Sequence, residues 1–311
     1  MRLTLHSFDS TDRIALPGLL YEPARSSKSV AIWLHGNGGA SVFYSASRMN
    51  ALGEALTRRG VAFFTFNNRG AEVEKMLKRR RGRDSEYVML GFAHERIRDC
   101  VKDIDGAIAH LRALGYRKFH LVGHSTGANK ICLYDAKKRG LSPVTSYVLL
   151  GPGDDVGIAY EDLGNERFHA TLERARSEVM RGRGSKIVPK SLSPRPISWA
   201  SLLDTIDPDG DYNVFPFIEV IRGIRLSKRR PLFRELRKIS KRTLVVFGEY
   251  DEYCFGDVPA CLDVLRELAP KQRCRFAVIG DTGHSFHGAE AELGETIADF
   301  FATSPSPRSR G

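Results

Sequence analysis

A serine set between glycines, followed far downstream by an acid and then a histidine, has the residue types needed to cut an acyl bond. Gly123-His-Ser125-Thr-Gly127 follows a β-rich run, Lys118 to Val122, and precedes a helix-like run, Ala128 to Lys137. Strand, tight turn and helix around G-x-S-x-G form a nucleophile elbow, which strains the serine backbone and exposes its hydroxyl above the sheet edge. Glycines two before and two after are required because a Cβ there would collide where strand and helix backbones meet. Ser125 is therefore the candidate nucleophile.

A serine hydroxyl is a weak nucleophile at its own pKa, so it needs a base, and the base needs an anion to hold its tautomer. Both should lie on loops at the carboxyl ends of later strands, acid before histidine. Gly248-Glu-Tyr-Asp251-Glu252 ends the apolar run 242–247, and Asp251 is the candidate acid, with Glu249, Glu252, Asp154 and Asp155 as competitors. Gly280-Asp-Thr-Gly-His284-Ser-Phe-His287 ends the run 275–279, and His284 is the candidate base, with His287 as its rival. His120 and His124 should be packed or hydrogen-bonded beside the elbow, and His94, His110 and His169 fall on expected helices. One further stretch bears on the chemistry. The apolar run Ser29 to Leu34 ends in His35-Gly-Asn-Gly-Gly39, a glycine cluster whose backbone N–H groups can face a crevice and hold an oxyanion. There His35 is expected to shape the loop by hydrogen bonding rather than to move a proton.

The elements that must position these loops follow from periodicity. Residues 3–9 and 14–22 read as an N-terminal hairpin, 61–66 as a strand, and 144–150 as a strand ending in Gly151-Pro-Gly-Asp-Asp155. Helices are expected over 45–59, 94–114, 257–268 and 289–301. Ile97, Val101, Ile104, Ile108 and Leu111 form a core-facing stripe. Residues 67–93 read as a long polar loop carrying Lys78-Arg-Arg-Arg81. Alternating strands and helices indicate an α/β fold with a mostly parallel central sheet covered on both faces. Core is expected at 1–151 and 242–302, with a cap inserted at 152–241 and a disordered tail at 303–311. Within the insertion, 161–181 reads as one helix, 182–196 as a basic Gly/Pro/Ser stretch, 199–203 as a short helix, and Tyr212 to Ile218 as an aromatic patch that either packs cap on core or meets substrate.

Composition narrows the classes. A chain of 311 residues can bury about three quarters of its unfolded surface without staples. Five scattered cysteines with no C-x-x-C argue against a disulfide framework or zinc site and fit a reducing compartment. No signal peptide and no bilayer-length apolar run is visible, so the expectation is a soluble cytoplasmic protein. The net charge of +11 clusters at Lys75–Arg83 and Arg222–Arg242, but no nucleic-acid fold or aromatic ladder accompanies it. A solvated basic face or attraction of an anionic substrate is the better reading, and no nucleic-acid partner is expected. The sequence carries no signal of oligomeric state.

The glycine loop at 35–39, the Gly-His-Ser125-Thr-Gly elbow, the Gly-Glu-Tyr-Asp251 turn and the Gly-His284 loop, in that order, resemble the α/β-hydrolase superfamily over nearly the length of the chain. Gly123–Asn129, Tyr212–Ile218 and Asp251–Tyr253 are also similar to a poorly characterised serine-hydrolase family that includes fungal esterases acting on siderophore esters. The resemblance implies an α/β-hydrolase fold and a carboxylic ester hydrolase without metal or organic cofactor. In it, Ser125 would attack, His284 would take and return the proton, and Asp251 would orient His284. The backbone N–H groups of Thr126 and of Asn37 or Gly38 would bind the oxyanion. Serine at the elbow argues against the dehalogenase and epoxide-hydrolase branches, which carry aspartate there. Amidase, thioesterase and acyltransferase chemistry stay open on the same residues, as does a non-catalytic binding protein of this fold. The aromatic and basic residues of the insertion suggest a small-molecule ester with an aromatic or anionic part.

Overall fold

The structure, a computed structural model, describes residues 1–37 and 46–303. The expected oxyanion residue Gly38 and the tail beyond Thr303 lie outside the described residues. Strands β1 (Arg2–Asp9) and β2 (Ala15–Glu22) form the expected antiparallel hairpin, paired from Arg2↔Glu22 to Asp9↔Ala15. With β3 (Ser29–Leu34), β4 (Ala62–Phe66), β7 (Lys118–His124), β8 (Val144–Leu150), β9 (Arg242–Gly248) and β10 (Cys274–Ile279) they make an eight-stranded sheet. Its order is β1-β2-β4-β3-β7-β8-β9-β10, and every pairing from β4 to β10 is parallel.

The continuous apolar runs are strands buried on both faces, as a helix-covered parallel sheet requires. In β3, Val30, Ile32 and Leu34 join one core while Ala31 and Trp33 join the other. In β9, Val245 and Phe247 face the first core and Leu244 and Val246 the second. Helices α2 (Cys100–Ala113), α3 (Thr126–Lys138) and α9 (Val258–Leu268) close the first face through Ile104, Ile131 and Leu265. On the other face, α1 (Ala46–Arg58) and α10 (Glu290–Ala302) supply Leu52, Leu56, Leu293 and Ile297. None of the helices among the described residues is long and apolar enough to cross a membrane.

Three stretches depart from the sequence expectation. Residues 67–93 are not one polar loop: β5 (Lys75–Arg81) and β6 (Asp84–Leu90) pair antiparallel as a separate hairpin. Leu77, Val88 and Leu90 turn toward the core, while Lys78, Arg80 and Tyr87 face solvent. The helix expected from 94 begins at Cys100, after two short 3-10 turns at Phe92–His94 and Ile97–Asp99. The helix expected over 161–181 is two, α4 (Asp155–Leu163) and α5 (Asn165–Met180), parted at Gly164 with φ 72°.

After α5 come α6 (Trp199–Ile206), α7 (Phe217–Ile221) and α8 (Arg234–Arg237), so the chain between β8 and β9 adds helices and no strand to the sheet. A third apolar cluster, including Phe168, Leu172, Trp199, Leu202 and Ile206, holds α5 and α6 together. Tyr212, Phe215 and Phe217 are buried with Phe233 and Phe247, so the aromatic patch packs helical segment on sheet.

Beneath the loops that leave β4 lies a dense charge cluster. Arg69 is buried and bonds Asp103 of α2 at 2.7 Å and Asp12 of the β1–β2 turn at 2.7 Å. These partners hold the guanidinium firmly charged and keep the Asp12 carboxyl well below the usual range, each overcoming the opposing effect of burial. Removing one member of a buried pair strands the other charge in a medium of low polarity. Arg69→Met should therefore lower unfolding free energy by about 3–5 kcal/mol, read from urea denaturation; a loss below about 1 kcal/mol would show that the cluster is solvated.

Candidate active site

The parallel strands point their carboxyl ends at one edge of the sheet. β3 runs on to β4 on one side while β7 runs on to β8 on the other, which leaves a crevice where the strand order reverses. Every loop singled out in the sequence leaves a strand at this edge: 35–37 after β3, Ser125 after β7, 151–155 after β8, Asp251 after β9 and His284 after β10.

Ser125 has φ 57° and ψ −130°, outside the regions ordinary residues occupy, as the elbow pattern predicts. Its N–H donates to the Leu150 carbonyl of β8 at 2.8 Å and its carbonyl accepts from Ala128 at 2.8 Å, which fixes the turn between β7 and α3. The flanking glycines are explained by contact: a Cβ on Gly123 would lie 2.3 Å from the Gly127 oxygen, and one on Gly127 would lie 2.2 Å from the Leu34 oxygen. The glycine after His35 obeys the same rule, because a Cβ on Gly36 would stand 2.8 Å from the Ser125 Cβ.

His284 and Asp251 meet. The imidazole Nδ1 lies 3.0 Å from both Asp251 carboxylate oxygens, and both residues are buried. With Nδ1–H directed at Asp251, Nε2 is left as the acceptor. Two neighbours fix the base loop. The His284 N–H donates to Glu252 Oε2 at 2.9 Å, and the His284 carbonyl accepts from His124 Nε2 at 2.8 Å. Burial holds the His124 imidazole neutral, well below its ordinary value, and the nearby His284 adds to this. Tyr253 meets the His284 ring edge-on at 4.6 Å between centroids.

The competing acids go elsewhere. Glu249 accepts from the Asp281 N–H at 3.0 Å. Asp154 caps α4 through Gly157 at 2.7 Å and accepts from the Ile218 N–H at 2.9 Å, tying α7 to the β8 loop. Asp155 lines the same cavity as His284 but bonds other groups: it accepts from Thr126 Oγ1 at 3.3 Å and Asn129 Nδ2 at 3.4 Å, and from the Asn37 side chain. It thus links the loop after β3 to the first turn of α3. Burial pushes its carboxyl up to about 6, although Asn37 and Thr126 favour the charged form. His287 is exposed, with Glu290 3.7 Å away, and has no contact with Asp251. His35 behaves as a loop-former: Nδ1 lies 2.9 Å from the Gly36 carbonyl and Nε2 accepts from the Asn68 N–H at 3.2 Å, while burial lowers its pKa to about 3. His120 bonds Ser29 and Ser146 and stacks on Phe301.

Ser125, His284, Asn37, Asp155 and Tyr253 line one cavity of about 310 Å³. Of the expected site residues, the structure therefore gathers Ser125, His284 and Asn37 around this space. Asp251 stands behind His284, and Thr126, at the first turn of α3, is buried beside them. Glu252, His124 and Asp155 complete the surroundings: the sequence offers Glu252 and Asp155 as competing acids and His124 as a packed neighbour, and the bonds they make to His284, Thr126, Asn129 and Asn37 appear only in the fold.

The profile of the alpha/beta hydrolase family matches residues 31–296. The chain belongs to that family. No curated protein matches it significantly. Among solved structures it is similar to Est1E from Butyrivibrio proteoclasticus with ferulic acid bound, at 16% identity over 94% of this chain and 97% of that one, with a TM-score of 0.61. It is also similar to an esterase of Pyrococcus furiosus, at 14% identity, 98% and 92% coverage and a TM-score of 0.53. Proline iminopeptidase of Mycobacterium smegmatis gives 16% identity, 96% and 97% coverage and a TM-score of 0.55. These likenesses establish the alpha/beta hydrolase fold; the chemistry must be argued from the site.

In this alpha/beta hydrolase, the Asp154 cap makes a pH-dependent link. Burial pushes its carboxyl from 3.8 up to about 7, against the two backbone donors. Between those values the unfolded chain has released the proton and the folded chain retains it, so this group makes stability fall as pH rises. The difference in unfolding free energy, wild type minus Asp154→Asn, should therefore decline across this window by up to about 1.4 kcal/mol per pH unit. Denaturation midpoints taken at several pH values check this; a constant difference would mean that Asp154 ionises at its ordinary pKa.

Proposed function

We propose that the protein is a serine hydrolase that cleaves a small-molecule carboxylic ester, with Ser125 as nucleophile, His284 as general base and acid, and Asp251 as the orienting carboxylate. The observation that carries this reading is the buried His284–Asp251 pair, whose histidine shares a cavity with a strained serine. His284 Nε2 takes the Ser125 hydroxyl proton as Oγ attacks the ester carbonyl, and Asp251 stabilises the imidazolium that forms. The tetrahedral oxyanion is held by the backbone N–H groups of Thr126 and of Asn37, each donor contributing about 10²–10³ in rate. The same imidazolium then protonates the leaving alcohol. In the second half, His284 activates water against the acyl-enzyme, and the serine is released.

The helical segment 152–241 serves as the cap in this reading, because Ile158 of α4 and the 190–195 stretch wall cavities at the carboxyl edge of the sheet. The esterase among the structural relatives, and the ferulic acid in another, support an ester as substrate. A peptidase of the same fold sets amides as the comparison the assay must include.

Purified protein should hydrolyse short p-nitrophenyl esters faster than the matching anilides and should react with a fluorophosphonate. Ser125→Ala should lose both the label and turnover while keeping its circular dichroism spectrum. Asp251→Asn should lower kcat by about 10³–10⁴, by analogy with triad aspartates elsewhere. Asp155→Asn should lose far less. Turnover surviving in Ser125→Ala would end the proposal, and a larger loss at Asp155 than at Asp251 would move the acid to the loop after β8.

A further inference from the structure

The cavity that holds Ser125 and His284 also presents two guanidinium groups, Arg48 from α1 and Arg195 from the segment before α6. Arg48 donates to the Ser285 carbonyl at 3.2 Å and lies 5.9 Å from the Trp33 ring centroid. Arg195 lies 4.5 Å over the Phe92 ring. Elsewhere near the site buried cations are matched: Arg69 has Asp103 and Asp12, and fully buried Lys130 has Glu95 at 2.6 Å. Neither cavity arginine makes a direct ion pair among the described residues, although Glu290 acts on Arg48 through its charge, and the stretch 38–45 contains no Asp or Glu that could supply one. The one carboxylate lining the same space, Asp155, accepts from Thr126, Asn129 and Asn37.

Arg195 stands at a junction. It lines a second cavity of about 630 Å³, which shares Asn37, Asp155 and Ile158 with the first. The walls of that second space include Phe92, Leu163, Ile197, Leu202 and Ile206; Arg167, Lys190 and Arg195 bring three positive charges to it against the carboxylates of Asp155 and Asp162. A substrate reaching from Ser125 into it passes Arg195 and then meets apolar side chains. The planar guanidinium suits this place: one face rests on an aromatic ring, and its N–H groups match the fork of a carboxylate.

We propose that Arg195 is a substrate-recognition residue and that the ester cleaved at Ser125 carries a carboxylate on the part that lies in the second cavity. This rests on the serine-hydrolase reading above and narrows its substrate class to anionic esters with an apolar body. Arg195 makes no contact with the reacting atoms; its contribution is to select and hold.

The test compares kcat/KM for two pairs of esters. In one the anion is on the acyl side (mono-p-nitrophenyl glutarate against p-nitrophenyl pentanoate), and in the other on the alcohol side (4-carboxyphenyl acetate against 4-methylphenyl acetate). A charged hydrogen bond of ordinary strength favours the anionic member of at least one pair by about tenfold. Arg195→Gln should bring that ratio to about one, and Arg195→Glu should invert it. Because Arg195 is exposed, both variants should fold, which thermal melting checks. If the neutral ester is favoured in both pairs, or if the ratio is unmoved in Arg195→Glu, the role of Arg195 is overturned while Ser125-dependent hydrolysis stands. A wild type that cleaves none of the four esters and takes no fluorophosphonate label overturns the hydrolase reading and this proposal with it.

Discussion

At the turn between β7 and α3 backbone approaches backbone too closely for any Cβ at Gly123 or Gly127, and the site is built outward from it. The Gly127 Cα presses on the last carbonyl of β3, and Gly36 on the Ser125 side chain, at distances where no Cβ fits. Such contact is possible only because β3 and β7 are paired in parallel to the residues just before the turn, from Ser29↔Lys118 to Leu34↔Gly123. The sheet therefore holds the strain of Ser125, and the strain in turn fixes where its hydroxyl and the first N–H groups of α3 stand. Strain of this kind persists only where the surroundings over-determine it, and here the Leu150 and Ala128 bonds supply that restraint.

Rigid strands also explain how loops far apart in sequence meet. His284 and Asp251 lie on neighbouring strand ends, since β10 pairs with β9 in register from Cys274↔Thr243 to Ile279↔Gly248. The two loops are then stitched by bonds around the pair, while Asp251 Oδ1 also accepts from the Tyr253 N–H at 3.1 Å. Glu252 holds the His284 amide, Glu249 the Asp281 amide, and Tyr250 donates its N–H to the Thr282 carbonyl at 3.0 Å. Acids next to Asp251 thus act as clamps for the loop opposite.

That arrangement marks the limit of what residue patterns can reveal. The strands were legible because β3, β7, β8 and β9 are buried on both faces and read as unbroken apolar runs. The elbow was legible because its glycines answer to local geometry. Asp251 could be preferred over Glu249 and Glu252 only by its offset from Gly248, and their separate roles depend on contacts across about thirty residues of chain. The β5–β6 hairpin was missed for a different reason: its outward face is Lys78, Arg80 and Tyr87, so the alternation of Leu77, Val88 and Leu90 is obscured by charge. Lys130 and Glu95 were invisible as a pair, since each reads as a solvent-facing residue until the fold buries both. The break at Gly164 was available in the sequence, where a glycine interrupts an otherwise helical stretch, but periodicity on both sides masked it.

Division of labour follows from which elements are fixed by the sheet. The groups that would form and break bonds come from strand ends or the first turn of α3, where a misplacement of an ångström would be costly. The walls of the neighbouring cavity come from α4, α6 and the 190–197 stretch, which join the core through a separate apolar cluster and through capping bonds such as Asp154 to Ile218. Bonds between the elbow and that segment join Asn129 and Thr126 to the residues 153–155 that lead into α4, and Thr126 to Tyr212, so changes at the 190–197 stretch can reshape what is admitted without touching those bonds. Asp155 is consequently the point where selection and chemistry touch: it begins α4, faces both cavities, and bonds Thr126 and Asn37 on either side of the serine. A ligand that presses on α4 therefore presses on the loop after β3 and the first turn of α3, which couples the fit of the bound group to the geometry around Ser125.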